Sequence, residues 1–170
     1  MMMKRLFVLS TFALLWSFFT MAQGAREIPD VKVRTLDGKE VSLQKWVLAG
    51  KKTTVISFWA TWCTPCKREL DNTNDFVEEW SKRYHARFVA ISIDNSRNVH
   101  KVAPFVKGKG WKYEILLDPN GNTRRALNYM MIPYLIIVDK EGKIVYRHVG
   151  YQEGDELEVE EQLMKLAQQK

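Results

Sequence analysis

Cysteine is scarce in this chain: Cys63 and Cys66 are the only two among 170 residues. With no third thiol to compete, a multi-bridge disulfide scaffold is excluded. The pair is not a staple either. A disulfide stabilises by the loop entropy it removes, and a ring enclosing only Thr64 and Pro65 removes almost none. Histidine is nearly as rare, with His85, His100 and His148 far apart and none at ligand spacing. A zinc site built on the cysteines would lack its other ligands, so neither metal nor bound cofactor is expected. Repeats, low-complexity tracts and long linkers are also missing, which leaves one domain's worth of chain. Basic side chains outnumber acidic ones 26 to 20, but they are scattered as Lys51-Lys52, Lys67-Arg68, Arg124-Arg125 and single lysines. That dispersal argues for a solvated mixed-charge surface and against a nucleic-acid partner.

What is present begins with a leader. Met1 to Arg5 is a short basic start, Leu6 to Met21 is apolar except for Ser10, Ser17 and Thr20, and Thr20-Met21-Ala22 offers small residues ahead of Gln23. Residues 1–22 therefore read as a cleaved signal peptide or an uncleaved membrane anchor. Either places the body outside the cytoplasm, a periplasmic or secreted location where disulfide chemistry is permitted. No cysteine follows the leader, so a lipid-anchored form is not expected. Residues 23–29 read as a mobile lead-in and 30–170 as the folded domain.

Val31 to Thr35 and Glu40 to Ser42 flank Asp37-Gly38, a strong hairpin turn signal. Leu43 to Ala49 reads as a short helix. Thr53 to Trp59 is β-branched and aromatic with almost no polar alternation, which suits a central strand covered on both faces. A single helix is expected from Thr64 to Tyr84, with Leu70, Val77, Trp80 and Tyr84 on one face and Pro65 in its first turn. Strands follow at Arg87 to Ile93, Glu114 to Leu117, Tyr134 to Asp139 and Lys143 to Val149. Helices are expected at Asn98 to Lys107, Asn122 to Tyr129 and Asp155 to Ala167. Alternating strands and helices imply an α/β fold with a mostly parallel sheet and a final antiparallel hairpin.

Site chemistry in such sheets gathers at the carboxyl ends of central strands, where Cys63 falls. A thiolate, not a thiol, attacks a disulfide. At a helix N-terminus, unpaired backbone N–H groups and the helix dipole favour a negative sulfur. Cys63 is thus expected as an exposed nucleophile on a rigid ledge. Cys66, one turn inside the helix, is expected as the thiol that resolves a mixed disulfide.

The segment Phe58-Trp59-Ala60-Thr61-Trp62-Cys63-Thr64-Pro65-Cys66-Lys67-Arg68-Glu69 resembles the active-site segment of the thioredoxin superfamily, in particular its exported TlpA/ResA-like thiol-disulfide oxidoreductases. The likeness runs from about Ile28 over most of the chain and includes Ile132-Pro133 ahead of a strand. It implies a thioredoxin-like fold: a central mixed sheet flanked by helices, with an N-terminal β-hairpin and a central helix-strand insertion. It implies that Pro133 is the family's cis-proline, and that the backbone edge at Ile132, with Trp62, Thr64 and Pro65, meets the substrate. Glu69 matches an acidic residue that tunes or relays protons for the thiols. On its own it also reads as a first-turn carboxylate stabilised by the helix dipole. Ser57 departs from thioredoxins proper, which carry a buried aspartate there. The proline common just after the acidic residue in this branch is missing too, since Leu70-Asp71 follow Glu69.

The implied partners are disulfide-bearing protein substrates and a membrane thiol electron donor, with a possible membrane tether. Thr64-Pro65 puts no cation beside Cys63, which favours a reductant over a dedicated oxidant. A protein-thiol oxidant, a thiol peroxidase and a non-enzymatic binding module remain as alternatives. The peroxidase reading lacks the proline- and threonine-bearing loop expected before its cysteine, although Thr61 is in place.

Overall fold

A computed structural model of the chain describes residues 26–169; the leader at 1–22 and the first part of the lead-in lie outside them. Among the described residues one sheet contains seven strands in the order β2-β1-β5-β4-β3-β6-β7. At its centre β3 (Thr53–Trp59) and β4 (Ala86–Ser92) run parallel, with Thr53 opposite Ala86 and Trp59 opposite Ser92. β5 (Glu114–Leu117) continues the parallel part beside β4. The hairpin of β1 (Lys32–Thr35) and β2 (Glu40–Ser42) joins antiparallel at the outer edge of β5. On the other side β6 (Tyr134–Val138) lies antiparallel to β3, followed by β7 (Ile144–Val149).

Only two of these six strand pairings are parallel, so the mostly parallel sheet expected from alternation is corrected to a mixed one. The reason lies in the connections. Parallel neighbours need a long crossover, which the helix-bearing β3–β4 and β4–β5 links supply, whereas short turns at Gly38 and Gly142 impose antiparallel hairpins.

The central strands lack polar alternation because apolar cores fill both faces. Val55 and Trp59 of β3 enter a cluster with Leu70, Trp80, Val102, Val159 and Leu163. Ile56 and Phe58 enter the opposite cluster with Leu43, Val47, Leu127 and Tyr129. Side chains alternate along a strand, so Ser57 shares the face of Val55 and Trp59. Helices α2 (Thr64–Thr73), α3 (Val77–Tyr84), α4 (Val102–Lys107) and α6 (Asp155–Gln168) contribute to the first cluster; α1 (Leu43–Ala49) and α5 (Asn122–Leu127) contribute to the second.

Two further expectations are corrected. The single helix over 64–84 is broken at Asn74-Asp75-Phe76. There the Asp75 and Phe76 N–H groups donate to Asn72 and Thr73 carbonyls in tight three-residue turns, and Asn74 Oδ1 accepts from Lys112 N–H at 2.8 Å. Short polar side chains compete with the helical ladder, and this break re-aims α3 onto the sheet. The lead-in is not free in its second half. Ile28 N–H donates to Gly142 O and Ile144 N–H to Arg26 O, both at 2.8 Å, and Ile28 is 1% exposed. An apolar side chain with a pocket to fill holds that segment against the β6–β7 hairpin.

Candidate active site

The loop between β3 and α2 is a short ledge. Cys63 N–H donates to Ala60 O at 3.0 Å, closing a turn. Thr61 donates through both its backbone N–H and its hydroxyl to the Asp94 carboxylate, at 2.8 and 2.7 Å. Ser92 Oγ donates to the same carboxylate at 2.9 Å, and Asp94 is fully buried. Parallel strands ending side by side bring Thr61 and Asp94, each two residues past its strand, to one another. The sequence reading missed Asp94, because that register is invisible until the strands are paired.

Cys63 then takes an extended N-cap conformation, with φ −89 and ψ 103, and the helix starts at Thr64-Pro65. Proline costs nothing in the first turn, where no intrahelical N–H bond is made. Cys63 Sγ accepts from Cys66 N–H at 3.3 Å, placing the sulfur on the unpaired donors of the helix end. The two sulfurs are bonded, with Cα atoms 5.3 Å apart. Cys66 has no exposed surface and Cys63 only 5%. The expected order of access therefore holds, but the expected exposure of Cys63 is corrected. Cys63 Sγ is bonded to Cys66 on one side, and the Ile132 carbonyl oxygen lies 3.9 Å from it. Thr64 and Pro65 are exposed.

The Ile132–Pro133 peptide is cis. Pro133 O accepts from Gly150 N–H at 2.8 Å, which ties this turn to the end of β7. The segment just before it is apolar and open: Met130 is 76% and Met131 65% exposed, and Trp62, next to Cys63, is 62% exposed. Arg124 braces this segment by donating to Met130 O at 2.9 Å. The two methionines escaped the sequence reading, since consecutive methionines carry no chemical signature; their place beside Ile132-Pro133 was the available signal.

Glu69 is one turn beyond Cys66 and buried, with 3% of its surface exposed. Its reading as a first-turn carboxylate stabilised by the helix dipole is overturned, since Glu69 lies beyond the first turn of α2 and is buried. Ser57 Oγ donates to Glu69 Oε2 at 2.5 Å, so the residue standing where thioredoxins proper carry aspartate is itself the partner of the acidic side chain. Burial pushes the Glu69 acid range up to about 8; the Ser57 hydroxyl opposes that rise, and the negative charges of Glu156 and Asp155 add to it. The histidines take no part. His85 caps α3, His100 lies in the turn before α4, and His148 faces Asp155 at 3.0 Å.

A mixed sheet, a cysteine pair at the start of the helix after its central strand, and a cis-proline facing that pair define a thioredoxin-like protein. The chain belongs to the Redoxin family, whose model matches residues 23–163. It is 27% identical to the thiol-disulfide oxidoreductase ResA of Bacillus thuringiensis subsp. konkukian over 150 residues, covering 86% of this chain and 83% of that one. It is 31% identical to the thioredoxin-like protein YneN of Bacillus subtilis over 137 residues, covering 80% and 77%. The solution structure of an uncharacterized thioredoxin-like protein from Porphyromonas gingivalis superposes with a TM-score of 0.74 at 43% identity, covering 83% of this chain and 92% of that chain. The TlpA/ResA-like resemblance and the thioredoxin-like fold both hold, and the chain is an oxidoreductase of the thiol-disulfide class.

Proposed function

We propose that this chain reduces disulfides of protein substrates outside the cytoplasm by dithiol exchange through Cys63 and Cys66. The observation that carries the proposal is the asymmetry of the pair. Cys63 caps the helix with its sulfur on a backbone donor and keeps the only exposed surface of the cysteine pair, while Cys66 is sealed behind it. In the reduced state the Cys63 thiolate attacks one sulfur of a substrate disulfide. A mixed disulfide forms and the other substrate sulfur leaves as a thiolate, taking a proton. The Cys66 thiolate then attacks Cys63 Sγ, the Cys63–Cys66 bond forms, and the second substrate thiol departs. Two electrons have moved to the substrate, and a thiol donor at the membrane restores the pair.

Glu69 handles the proton of the Cys66 thiol, supported by its burial one turn away and by its raised acid range. Trp62, Thr64, Pro65 and the backbone at Ile132-Pro133 receive the substrate, which lies as an extended segment along the edge before the proline. Met130 and Met131 widen that surface with soft, adaptable apolar contact. Thr64-Pro65 adds no cation to the ring, which supports the reductive direction. The leader supports an extracytoplasmic location, and a tether would be its apolar run.

The test is trapping in the native compartment. Cys66→Ser should accumulate mixed disulfides with client proteins that are released by reductant, whereas Cys63→Ser should accumulate none. Trapping by Cys63→Ser alone would reverse the two roles. Failure of the reduced protein to reduce any protein disulfide would return it to the binding-module reading.

A further inference from the structure

Beside the cysteine ring lies a cleft that the exchange of protein disulfides leaves unused. It has a volume of about 370 Å³ and is lined by Pro65, Arg68 and Asn72 of α2 and by Tyr151, Gln152 and Glu153 of the loop between β7 and α6. Small-molecule sites are concave spaces of about 300–1,000 Å³ with a few placed polar groups, and this cleft falls within that range. Its loop wall is fixed at several points. Gly150 N–H donates to Pro133 O at 2.8 Å, so the loop leaves directly from the cis-proline turn that faces Cys63. The Tyr151 hydroxyl accepts from Asn72 Nδ2 and donates to Glu156, both at 2.5 Å, and Glu156 also accepts from Gly154 N–H at 3.0 Å. Those bonds pin the loop to α2 and to the start of α6. Pro65 belongs to the ring itself, so the cleft opens at the cysteines and runs about two turns down α2 to Asn72.

The charges of the cleft are unspent. Neither Arg68 nor Glu153 forms an ion pair among the described residues, with each other or with a third group. Arg83, Arg87, Arg124 and Arg125, by contrast, are each bonded within the protein. Arg68 stands on the α2 wall and Glu153 on the loop wall. Helical side chains lean toward the N-terminus, which brings Arg68 back toward Pro65 and the ring. A guanidinium on one wall and a carboxylate on the other match a ligand carrying both charges on one carbon. We propose that the cleft binds the α-amino-acid head of a small disulfide, its carboxylate on Arg68 and its ammonium on Glu153, and that Cys63 and Cys66 reduce that disulfide. The arginine fork suits a carboxylate, and the Asn72 and Gln152 amides border the same space. An internal cysteine of a protein offers no such head, because peptide bonds consume both groups. The substrate is therefore a free disulfide ending in this head, cystine or oxidised glutathione. The Cys63 thiolate attacks one of its sulfurs, the S–S bond breaks, and one amino-acid thiol leaves as a thiolate that takes a proton. The Cys66 thiolate then attacks Cys63 Sγ, the ring closes, and the second thiol departs. Two electrons have passed from the cysteine pair to the small disulfide, and a thiol donor restores the pair.

This inference rests on the dithiol exchange proposed above. The test is single-turnover oxidation of the reduced full chain by a matched set of disulfides. Cystine and oxidised glutathione carry the head, dithiodipropionate only carboxylates, cystamine only ammoniums, and hydroxyethyl disulfide no charge. Dividing each rate constant by that of free dithiothreitol cancels intrinsic reactivity. Cystine or oxidised glutathione should then exceed hydroxyethyl disulfide, and the one that does so shows how far the head sits from the sulfur. Arg68→Met should cut that advantage about fivefold, the worth of an ion pair at an open site, and Arg68→Lys should restore part of it. Arg68→Met should also slow dithiodipropionate and speed cystamine, whereas Glu153→Gln should do the reverse. Both side chains are exposed, so the variants should fold. Head-bearing disulfides no faster than hydroxyethyl disulfide, or an advantage unmoved in Arg68→Met, overturn the inference. If the chain still reduces a protein disulfide in that case, the exchange function stands and only the role of the cleft falls. If it reduces neither, both fall.

Discussion

At the scale of single residues, Glu69 carries most of the pH dependence. A buried carboxyl whose acid range rises from 4.5 to about 8 binds its proton more tightly in the folded chain than in the unfolded one. Between those values the unfolded chain has lost the proton and the folded chain keeps it, so stability falls as pH rises through that window. Glu69→Gln removes the titration. The variant should gain stability relative to the parent as pH climbs from about 5 to about 8, and urea denaturation at both ends checks this. Its thiol exchange should slow as well, by about 100-fold or more for a lost proton-transfer group. Ser57 belongs to the same pair: with a hydroxyl there instead of a second carboxylate, only one acid must be accommodated behind the cysteines.

At the scale of elements, the site depends on two strand ends and one helix start. Asp94 gathers three donors from the ledge and its neighbour strand in a dry setting. Asp94→Ala should therefore destabilise the chain by about 2–3 kcal/mol, measured by chemical denaturation, because it strands the Thr61 N–H and hydroxyl. The Thr61 amide should lose its protection from hydrogen exchange in the same variant. An unchanged denaturation midpoint would show that the ledge is held by the Ala60 turn alone. The break between α2 and α3 is an element-scale matter too. Leu70, Val77, Trp80 and Tyr84 do share a face at helical spacing, and three of the four are fully or nearly buried as that spacing predicts. Periodicity survives the interruption because both helices pack on the same sheet face. It therefore could not report where one helix stops and the next begins.

At the scale of the whole molecule, the chain closes on itself at Ile28. This residue reaches the β6–β7 hairpin across the length of the domain, and its side chain is as dry as the central strands. Ile28→Ala should cost about 2–4 kcal/mol in denaturation, while Glu27→Ala, exposed on the same bridge, should cost little. An Ile28→Ala variant as stable as the parent would mean that the segment beyond the leader is dispensable.

Local chemistry is what the linear chain determined by itself. Cys63, Cys66, Pro65 and the apolar run Thr53–Trp59 announce strand, helix start and redox pair through their spacing and residue type, since capping, burial on two faces and ring closure are properties of neighbours in sequence. The tertiary structure alone decided everything that joins distant segments: Thr61 on Asp94, Ser57 on Glu69, Tyr151 between Glu156 and Asn72, and the hairpin at the β5 edge. Those contacts depend on which strands pair and in what register, and such long-range closures leave no periodic mark in the residues that make them.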